Sequence, residues 1–563
     1  MENYRSNYER WLASDVVDDK TKEELRAIAG DEKEIEDRFY KDLEFGTAGL
    51  RGVLAAGANR MNVYTVRHAT QGLANYLMKV DPETPAKGIA ISFDSRHQSD
   101  VFARETAAVF NGNGIKTYVF DTLHPVPELS FTVRYLGCKG GVMITASHNP
   151  AKYNGYKAYW EDGCQVPPPM DDEIIGDVEA VDMFDGIKLM DRAEAEAKGL
   201  YVAIGKEIDD AYIATIKKSL IDPETLAKCA ADLKIVYTPL HGAGNLPVRR
   251  ILEECGFKQV YVVPEQELPN GDFPTVQLPN PEDPRALELG RQLGEKVGAD
   301  IIVGTDPDSD RVGIMVKTPE GYVPFTGNMV GVMLTNYILE ARKKTGTLPA
   351  DGFICKSIVS TEMVRPMADE YGVELRNVLT GFKFIGQQIL QSEQTGRGTF
   401  LFGFEESYGY LCGTYARDKD AVSGAMLICE MAAITKYNGM SLIDRMQSLY
   451  EKYGFFKESV VSMAFEGIEG AAKMKKIMDD LRNAPKAEIA GLKVLEVQDY
   501  ALGYNGLPKS NVLRYVLENN CWVCVRPSGT EPKIKFYFGA NGKDEAEAAA
   551  YAKKLQTEMT AGF

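Results

Sequence analysis

The chain's 563 residues exceed what one hydrophobic core can organise, and domains of roughly 100–200 residues imply about three or four of them. Apolar residues at 44% and charged residues at 26% exclude a disordered or fibrous chain and fit a large globular enzyme. Asp and Glu number 81 against 64 Lys and Arg, a net charge of -17, so the averaged field repels nucleic acid and anionic membrane surfaces, and neither is expected as a partner.

The start, MENYRSNYERWLASDVVDDK, carries charges throughout and has no apolar h-region, and no uninterrupted apolar run of about 18 residues occurs further on, so the expected location is cytoplasmic. From about residue 88 the periodicity predicts strand (GIAISFDS), helix (DVFARETAAVFNGNG), strand (IKTYVFD), helix (PELSFTVRYLG) and strand (GGVMITAS), a βαβαβ unit with a covered parallel sheet. The pattern returns with KIVYTPLHG, NLPVRRILEECG, QVYVVPE, a helix near RALELGRQLGEKVG, and ADIIVGTDPDSD. It returns again with GFICKSIVS, EMVRPMADEYG, VELRNVLTG, FIGQQILQSE and TFLFGFEESYG. A helical linker is expected near residues 440–456, and then the pattern changes: ESVVSMAF, GLKVLEVQDYA, VLRYVLEN, CWVCVRPS and IKFYFGA read as strands beside two helices. The fold class is therefore α/β. Three tandem α/β domains with mixed or parallel sheets are expected over 1–205, 206–322 and 323–450, and a smaller C-terminal α+β domain over 451–563, arranged around a central cleft. The nine cysteines lack a framework-like spacing and read as reduced thiols; the CWVC pair, Cys521 and Cys524, lies in a strand-like run without a second CxxC for zinc.

Each α/β unit ends on an apolar strand that opens into a polar loop, and sites in open α/β sheets form beyond the carboxyl ends of strands. In TDPDSD, Asp306, Asp308 and Asp310 stand at every second position, and an extended segment of period two turns all three carboxylates to one side. Three hard oxygen ligands suit Mg²⁺ or Ca²⁺. An EF-hand is excluded because its sixth position needs Gly and is Arg311, and its twelfth needs Glu and is Lys317; Mg²⁺, which completes its shell with phosphate and water, is the better match. The corner ITASHNP places Ser147 beside His148 with no GxSxG elbow, and by itself reads as a turn or as a reactive hydroxyl. A serine bearing phosphate fits the open positions of the metal. VRPSGTEPKIKF offers a guanidinium, hydroxyls, a glycine turn and two lysines, and stands open between an ordinary turn and a phosphate clamp. GFEESYG stands open between a charged loop and a set of acceptors for sugar hydroxyls.

In this order, TASHNP, DPDSDR, FEESYG and RPSGT resemble the four active-site loops of the α-D-phosphohexomutase family, over nearly the whole chain from FGTAGLRG at residues 45–52 to RPSGTEPKIKFY. The longer form, with FGTAGLRG and SHNPAKYNGYKAYW, is similar to the branch that holds phosphoglucomutases and phosphopentomutases. The resemblance implies an isomerase that moves phosphate within a sugar phosphate through a phosphoserine and a bisphosphate intermediate, with Mg²⁺ as cofactor and glucose 1,6-bisphosphate as activator. It implies that Ser147 carries the phosphate and that Ser147, Asp306, Asp308 and Asp310 hold the metal. Lys157 would be the general acid or base, His148 and Asn149 would shape the serine loop, and Arg51 and Arg311 would flank the reacting phosphate. Glu405 and Ser407 would read sugar hydroxyls, Thr380, Gly381 and Lys419 would contact substrate, and Arg526, Ser528, Gly529 and Thr530 would clamp the non-reacting phosphate. The four domains would carry, in turn, the phosphoserine, metal, sugar and clamp loops. The expected reaction interconverts glucose 1-phosphate and glucose 6-phosphate, with pentose or mannose phosphates as rival substrates and a Mg²⁺-dependent sugar phosphatase as the rival class. Small sugar phosphates are the expected partners of a monomer or small homo-oligomer. Phe404 stands where the family commonly has Gly, and Ala48 where it commonly has Ser, which leaves hexose against pentose open.

Overall fold

The computed structural model describes residues 3–44, 49–465, 467–527 and 533–561, and the chain divides into two compact units. The first comprises residues 1–324, 389–391 and 411–433, and the second comprises 325–388, 392–410 and 434–563.

The first unit holds two sheets. Strands β1 (Leu50–Val53), β2 (Ile89–Phe93), β3 (Thr117–Phe120), β4 (Gly140–Ile144), β5 (Tyr153–Trp160) and β6 (Tyr201–Ile204) form one in the order β1-β5-β4-β2-β3-β6. The expected βαβαβ unit is its centre: β4, β2, β3 and β6 are mutually parallel neighbours, with the helices Ser99–Gly112 and Val126–Leu136 as crossovers. Every residue of β4 is buried, as a parallel strand covered on both faces requires. The sequence pattern does not separate the antiparallel edge, where β5 pairs with β4 and β1 with β5. Gly155 on β5 is needed there, because a Cβ would stand 2.5 Å from the carbonyl oxygen of Thr145 and 2.7 Å from that of Leu50. Strands β7 (Lys234–Thr238), β8 (Gln259–Val262), β9 (Ile301–Thr305), β10 (Val312–Thr318) and β11 (Gly321–Phe325) form the second sheet, ordered β11-β10-β9-β7-β8, with β9, β7 and β8 parallel and β10 antiparallel to β9. Residues 411–433 join this unit through the helix Ala421–Tyr437. Its buried Glu430 accepts the backbone N–H groups of Ile221 and Asp222, and Asp420 ahead of it accepts the hydroxyls of Tyr212 and Tyr415.

The second unit also holds two sheets. One comprises β12 (Gly352–Ser357), β13 (Glu374–Val378), β14 (Thr399–Glu405) and β15 (Gly409–Leu411) in the order β13-β12-β14-β15, with β12 parallel to both β13 and β14. The other is antiparallel: β16 (Phe455–Ala464), β17 (Glu488–Ile489), β18 (Leu492–Asp499), β19 (Leu513–Leu517), β20 (Trp522–Pro527) and β21 (Lys533–Gly542), ordered β16-β21-β20-β19-β18-β17. It is covered by the helices Gly467–Asn483 and Glu545–Thr560, through Ile477, Met478 and Leu555 among others. The fold class is thus three α/β domains followed by a smaller α+β domain. The nine cysteines are free and buried, with Cys521 and Cys524 in the C-terminal sheet region. Among the described residues no helix is long and apolar enough to cross a membrane.

Within this unit, Glu362 receives Lys356 at the end of β12 at 3.0 Å and Arg514 of β19 at 3.0 Å, all three buried. Burial opposes ionisation of Glu362, but Lys356, Arg514 and the more exposed Arg365, 2.9 Å away, outweigh it and pull its pKa down to about 2. A folded-state value below the ordinary carboxylate range adds stability above the unfolded pKa, and that stability is lost as pH falls from about 4.5 to about 2. Glu362→Gln should therefore lower the unfolding free energy at pH 7 by about 3 kcal/mol, because two buried cations lose their counter-charge, and should flatten the acid limb of the stability profile. Urea midpoints from neutral to acid pH measure both effects; a wild-type midpoint in the variant at pH 7 contradicts the assignment.

Candidate active site

The loop after β4 turns sharply. Ser147 takes φ +53°, in the left-handed region, and its backbone N–H donates to Thr145 Oγ1 at 2.8 Å. Arg96, in the loop after β2, holds this turn. Its guanidinium donates to the carbonyls of Ser147 and Asn149, to that of Pro150 at 3.0 Å and to that of Tyr153 at 3.1 Å. Asp94 completes the brace, accepting the Thr145 hydroxyl at 2.7 Å and the Ser99 hydroxyl at 2.8 Å, with its carboxylate 3.3 Å from Arg96 Nε. Asp94 and Arg96 are positioning residues that the sequence motifs do not single out. The local sequence FDSRHQSD shows a charged pair but not the main-chain carbonyls, some 50 residues on, that the pair fixes.

The Asp loop after β9 also turns rather than running extended: Ser309 takes φ +53°, and Asp306 Oδ1 accepts the backbone N–H groups of Asp310 at 3.1 Å and Arg311 at 3.0 Å. The three carboxylates converge as expected, but through this turn and not through strand alternation. One oxygen from each lies within 4.8 Å of the others, and all three side chains are buried. Gly242, in the loop after β7, packs on the turn, where a Cβ would meet Pro307 Cα at 2.4 Å, and the Ala243 N–H donates to the Pro307 carbonyl at 2.8 Å. Burial, Asp308 and Asp310 together push the Asp306 pKa well above the carboxylate range. Asp308 Oδ1 and Asp310 Oδ1 are buried without a hydrogen-bond partner among the described residues. Three converging carboxylates with two oxygens left open are the donor set of a hard divalent cation, so the triplet is a candidate metal site.

Ser147 Oγ joins the two loops, 3.2 Å from Asp306 Oδ2 and 3.1 Å from His148 Nδ1. Burial, Arg311 and Arg51 hold the His148 pKa well below its ordinary value, so the ring is neutral. Lys157, on β5, places Nζ 2.8 Å from Asp308 and 3.4 Å from Asp310. Burial lowers its pKa, but the two carboxylates outweigh this and hold the amine above its ordinary value. Lys419 also reaches Asp310, at 3.0 Å, as well as Asp418 at 3.2 Å. Burial works against ionisation of Asp310, and Lys419, Lys157 and Arg311 outweigh it, so that carboxyl stays below the usual range. Arg51, on β1, reaches the Asn149 side chain at 3.5 Å, and Arg311 pairs with Glu282, a partner the sequence motifs do not reveal.

The remaining predicted residues lie in the second unit. Glu405, at the end of β14, accepts the Gly381 N–H at 2.8 Å, and this bond closes the loop that holds Thr380. Ser407 is partly buried in the adjoining turn, whose neighbour Glu406 accepts the Ser357 hydroxyl at 2.8 Å. Arg526 stands on β20 opposite Lys535 of β21. Ser528, Gly529 and Thr530 lie outside the described residues, as do residues 45–48 of the FGTAGLRG stretch.

Arg96→Met should reduce kcat by about 10²-fold, because an ångström of misplacement at Ser147 is enough to do so, and should lower stability by about 3–5 kcal/mol by stranding buried Asp94. Arg96→Lys should recover part of the stability and little of kcat, since one ammonium cannot span the four carbonyls. Steady-state rates read beside thermal melts test this; an undiminished kcat in Arg96→Met contradicts it.

A serine on a strained turn, a buried acidic triplet able to hold a divalent cation and an adjoining lysine form a candidate phosphoryl-transfer site. Residues 42–184, 210–321 and 326–453 match the phosphoglucomutase/phosphomannomutase alpha/beta/alpha domains I, II and III, and residues 464–557 match the C-terminal domain of the same family. The chain belongs to this family, the α-D-phosphohexomutases, and is an isomerase of that class. It is 35% identical to phosphoglucomutase of Staphylococcus saprophyticus over 544 residues, covering 94% of this chain and 95% of that one. It is 37% identical to phosphoglucomutase of Staphylococcus aureus over 533 residues, covering 92% and 93%. The fold is similar to that of parafusin, a phosphoglucomutase of Paramecium, in its open form, with a TM-score of 0.69 at 19% identity over 92% of this chain and 94% of the other. It is also similar to a phosphoglucomutase/phosphomannomutase family protein of Burkholderia thailandensis, with a TM-score of 0.66 at 16% identity over 92% and 98%.

Proposed function

We propose that this enzyme interconverts glucose 1-phosphate and glucose 6-phosphate, with Ser147 as the phosphate carrier. The observation that carries the reading is the Ser147 hydroxyl 3.2 Å from a carboxylate of the buried Asp triplet. Its curated relatives from Staphylococcus, alike over most of their length, are phosphoglucomutases. Asp306, Asp308 and Asp310 would hold Mg²⁺ together with a phosphate oxygen on Ser147. Bound there, the ion neutralises charge on the transferring phosphoryl group.

The protein's own residues perform the rest. Arg96 and Thr145 keep the Ser147 oxygen at a fixed place while its phosphate comes and goes. Lys157, protonated between Asp308 and Asp310, donates a proton to the oxygen from which phosphate departs, and the neutral amine left by that donation takes one back from the attacking hydroxyl. His148, neutral, accepts a hydrogen bond without adding charge. Arg51 and Arg311 supply guanidinium donors to the phosphoryl oxygens. In the second unit, Glu405 and Ser407 read sugar hydroxyls, Thr380 and Gly381 present the neighbouring loop, and Arg526 with Ser528, Gly529 and Thr530 grips the non-reacting phosphate. Lys419 acts through Asp310 as well as through substrate. The cycle runs through glucose 1,6-bisphosphate: the first transfer empties Ser147, and return of the other phosphate of the turned-over bisphosphate refills it.

The test is a competition among glucose, mannose and ribose 1-phosphates with catalytic glucose 1,6-bisphosphate present. The largest kcat/KM should belong to glucose 1-phosphate, with free phosphate release negligible beside isomerisation. A preference for ribose or mannose overturns the substrate, and dominant phosphate release overturns the class.

A further inference from the structure

A second cluster of metal-ligating side chains lies outside the Asp triplet, in the same unit. His124 sits in the loop between β3 and the helix Val126–Leu136, Glu128 in the first turn of that helix, and Asp209 on the helix Lys206–Ile216. One ligand atom from each lies within 4.8 Å of the others. His124 Nδ1 is 2.8 Å from the Thr122 carbonyl oxygen and Nε2 is 3.0 Å from Asp209 Oδ1, while the ring stacks on Phe120 with centroids 4.1 Å apart. A carbonyl only accepts, so Nδ1 donates; Nε2 shares a hydrogen with Asp209 Oδ1 and, once that proton leaves, presents its lone pair to the cluster. A metal-binding histidine is oriented in this way by a hydrogen bond from its other nitrogen.

Glu128 supplies the independent observation. It is 2% exposed, and its Oε1 has no hydrogen-bond partner among the described residues. Burial and the charges of Asp209 and Asp420, against the opposing pull of His124, raise its pKa to about 8, so without a cation the carboxyl is held neutral, and a cation bound there would let it ionise. Asp420, itself buried, adds to the negative field that Glu128 feels. Asp209, with its side chain 35% exposed, leaves an entry path from solvent.

We infer that His124, Glu128 and Asp209 form a second metal site, selective for Zn²⁺ over Mg²⁺. One imidazole and two carboxylates suit a borderline cation with N and O ligands, with water in the fourth position, whereas Mg²⁺ prefers oxygen alone. On binding, the cation displaces the proton between Nε2 and Asp209 and the proton that Glu128 carries, and both leave to solvent. The site ties the helix Lys206–Ile216 to the helix Val126–Leu136. The Val126 N–H of the latter donates to the Asp308 carbonyl at 2.9 Å, so the clamp braces the backbone beside the Asp loop without sharing a ligand with it.

The test uses the full-length protein stripped by a chelator, re-equilibrated with excess Mg²⁺ to fill the triplet, then mixed with Zn²⁺ and dialysed against Mg²⁺ buffer. Wild type should retain about one Zn²⁺ per chain and melt at a higher temperature with it. His124→Gln and Asp209→Asn should each weaken Zn²⁺ at least ~10-fold and lose the shift in melting, whereas Asp308→Asn should keep both. Co²⁺ in place of Zn²⁺ should give wild type a visible ligand-field band that His124→Gln lacks. The proposal is overturned if wild type retains no Zn²⁺ in excess Mg²⁺, if His124→Gln retains as much as wild type, or if Asp308→Asn loses it. Should His124→Gln fail to fold by circular dichroism, Asp209→Asn, on the more exposed helix, decides alone.

Discussion

Ser147→Ala is expected to abolish isomerisation, with turnover down by at least ~10³-fold, while the fold and substrate binding persist. The hydroxyl is the only group the substitution removes, and the turn does not depend on it: the Ser147 carbonyl is held by Arg96 and its N–H by Thr145. Alanine tolerates φ +53° about as well as serine does, so the melting temperature should move little. Intact mass gives a second readout. Wild type incubated with glucose 1,6-bisphosphate should gain the mass of one phosphoryl group, located on Ser147 by peptide mapping, and the variant should gain none. Substantial turnover in the variant, or a phosphate on another residue, would remove Ser147 from the role of carrier.

Asp308→Asn should have the other large effect. Its Oδ1 is one of the open oxygens of the triplet, and its Oδ2 takes Lys157 at 2.8 Å and Thr145 at 3.1 Å. Asparagine preserves the shape and one acceptor but removes a charge, so half-saturation with Mg²⁺ should rise more than ~10-fold and kcat at saturating Mg²⁺ should fall about 10²–10³-fold. Stability should respond in the opposite sense. Metal-free wild type confines three carboxyls whose burial, together with repulsion from Asp308 and Asp310, keeps Asp306 from ionising, and removing the Asp308 charge relieves part of that cost. Metal-free Asp308→Asn should therefore melt no lower than metal-free wild type, and Mg²⁺ should stabilise wild type far more than the variant. Equal stabilisation of both proteins by Mg²⁺ would place the ion elsewhere.

The parts of this protein that are readable in advance are those written in local sequence. Strands β4, β9 and β14 are apolar runs that end in turn-forming polar residues, and that pattern is set by burial and turn chemistry within a few residues. The Asp triplet is visible for the same reason, although its convergence comes from backbone N–H groups donated to Asp306 and not from the alternation of an extended segment. What escapes depends on partners distant in the chain. Arg96 binds main-chain carbonyls, which leave no trace in residue identity. Arg514 meets Glu362 across 152 positions, and the pairing of Arg311 with Glu282 crosses a whole helix and strand. Lys419 can be named from its motif, but its place on Asp310 follows only from the folding of residues 411–433 into the first unit.

That last feature bears on how the protein could be divided. The chain leaves the first unit at Pro324, builds part of the second, rejoins the first briefly at residues 389–391, and returns over residues 411–433 before leaving for good. A truncated chain ending at residue 324 would keep Ser147, Lys157 and the Asp triplet, yet would lack Lys419, the acceptor Asp420 for two tyrosine hydroxyls, and the buried Glu430 that caps two backbone amides. The unit that holds Ser147, Lys157 and the Asp triplet is therefore not a contiguous gene segment. A clean excision would require joining residue 324 to residue 411 through a designed linker, and domain-level recombination within this family would have to carry the returning segment along with the first two sheets.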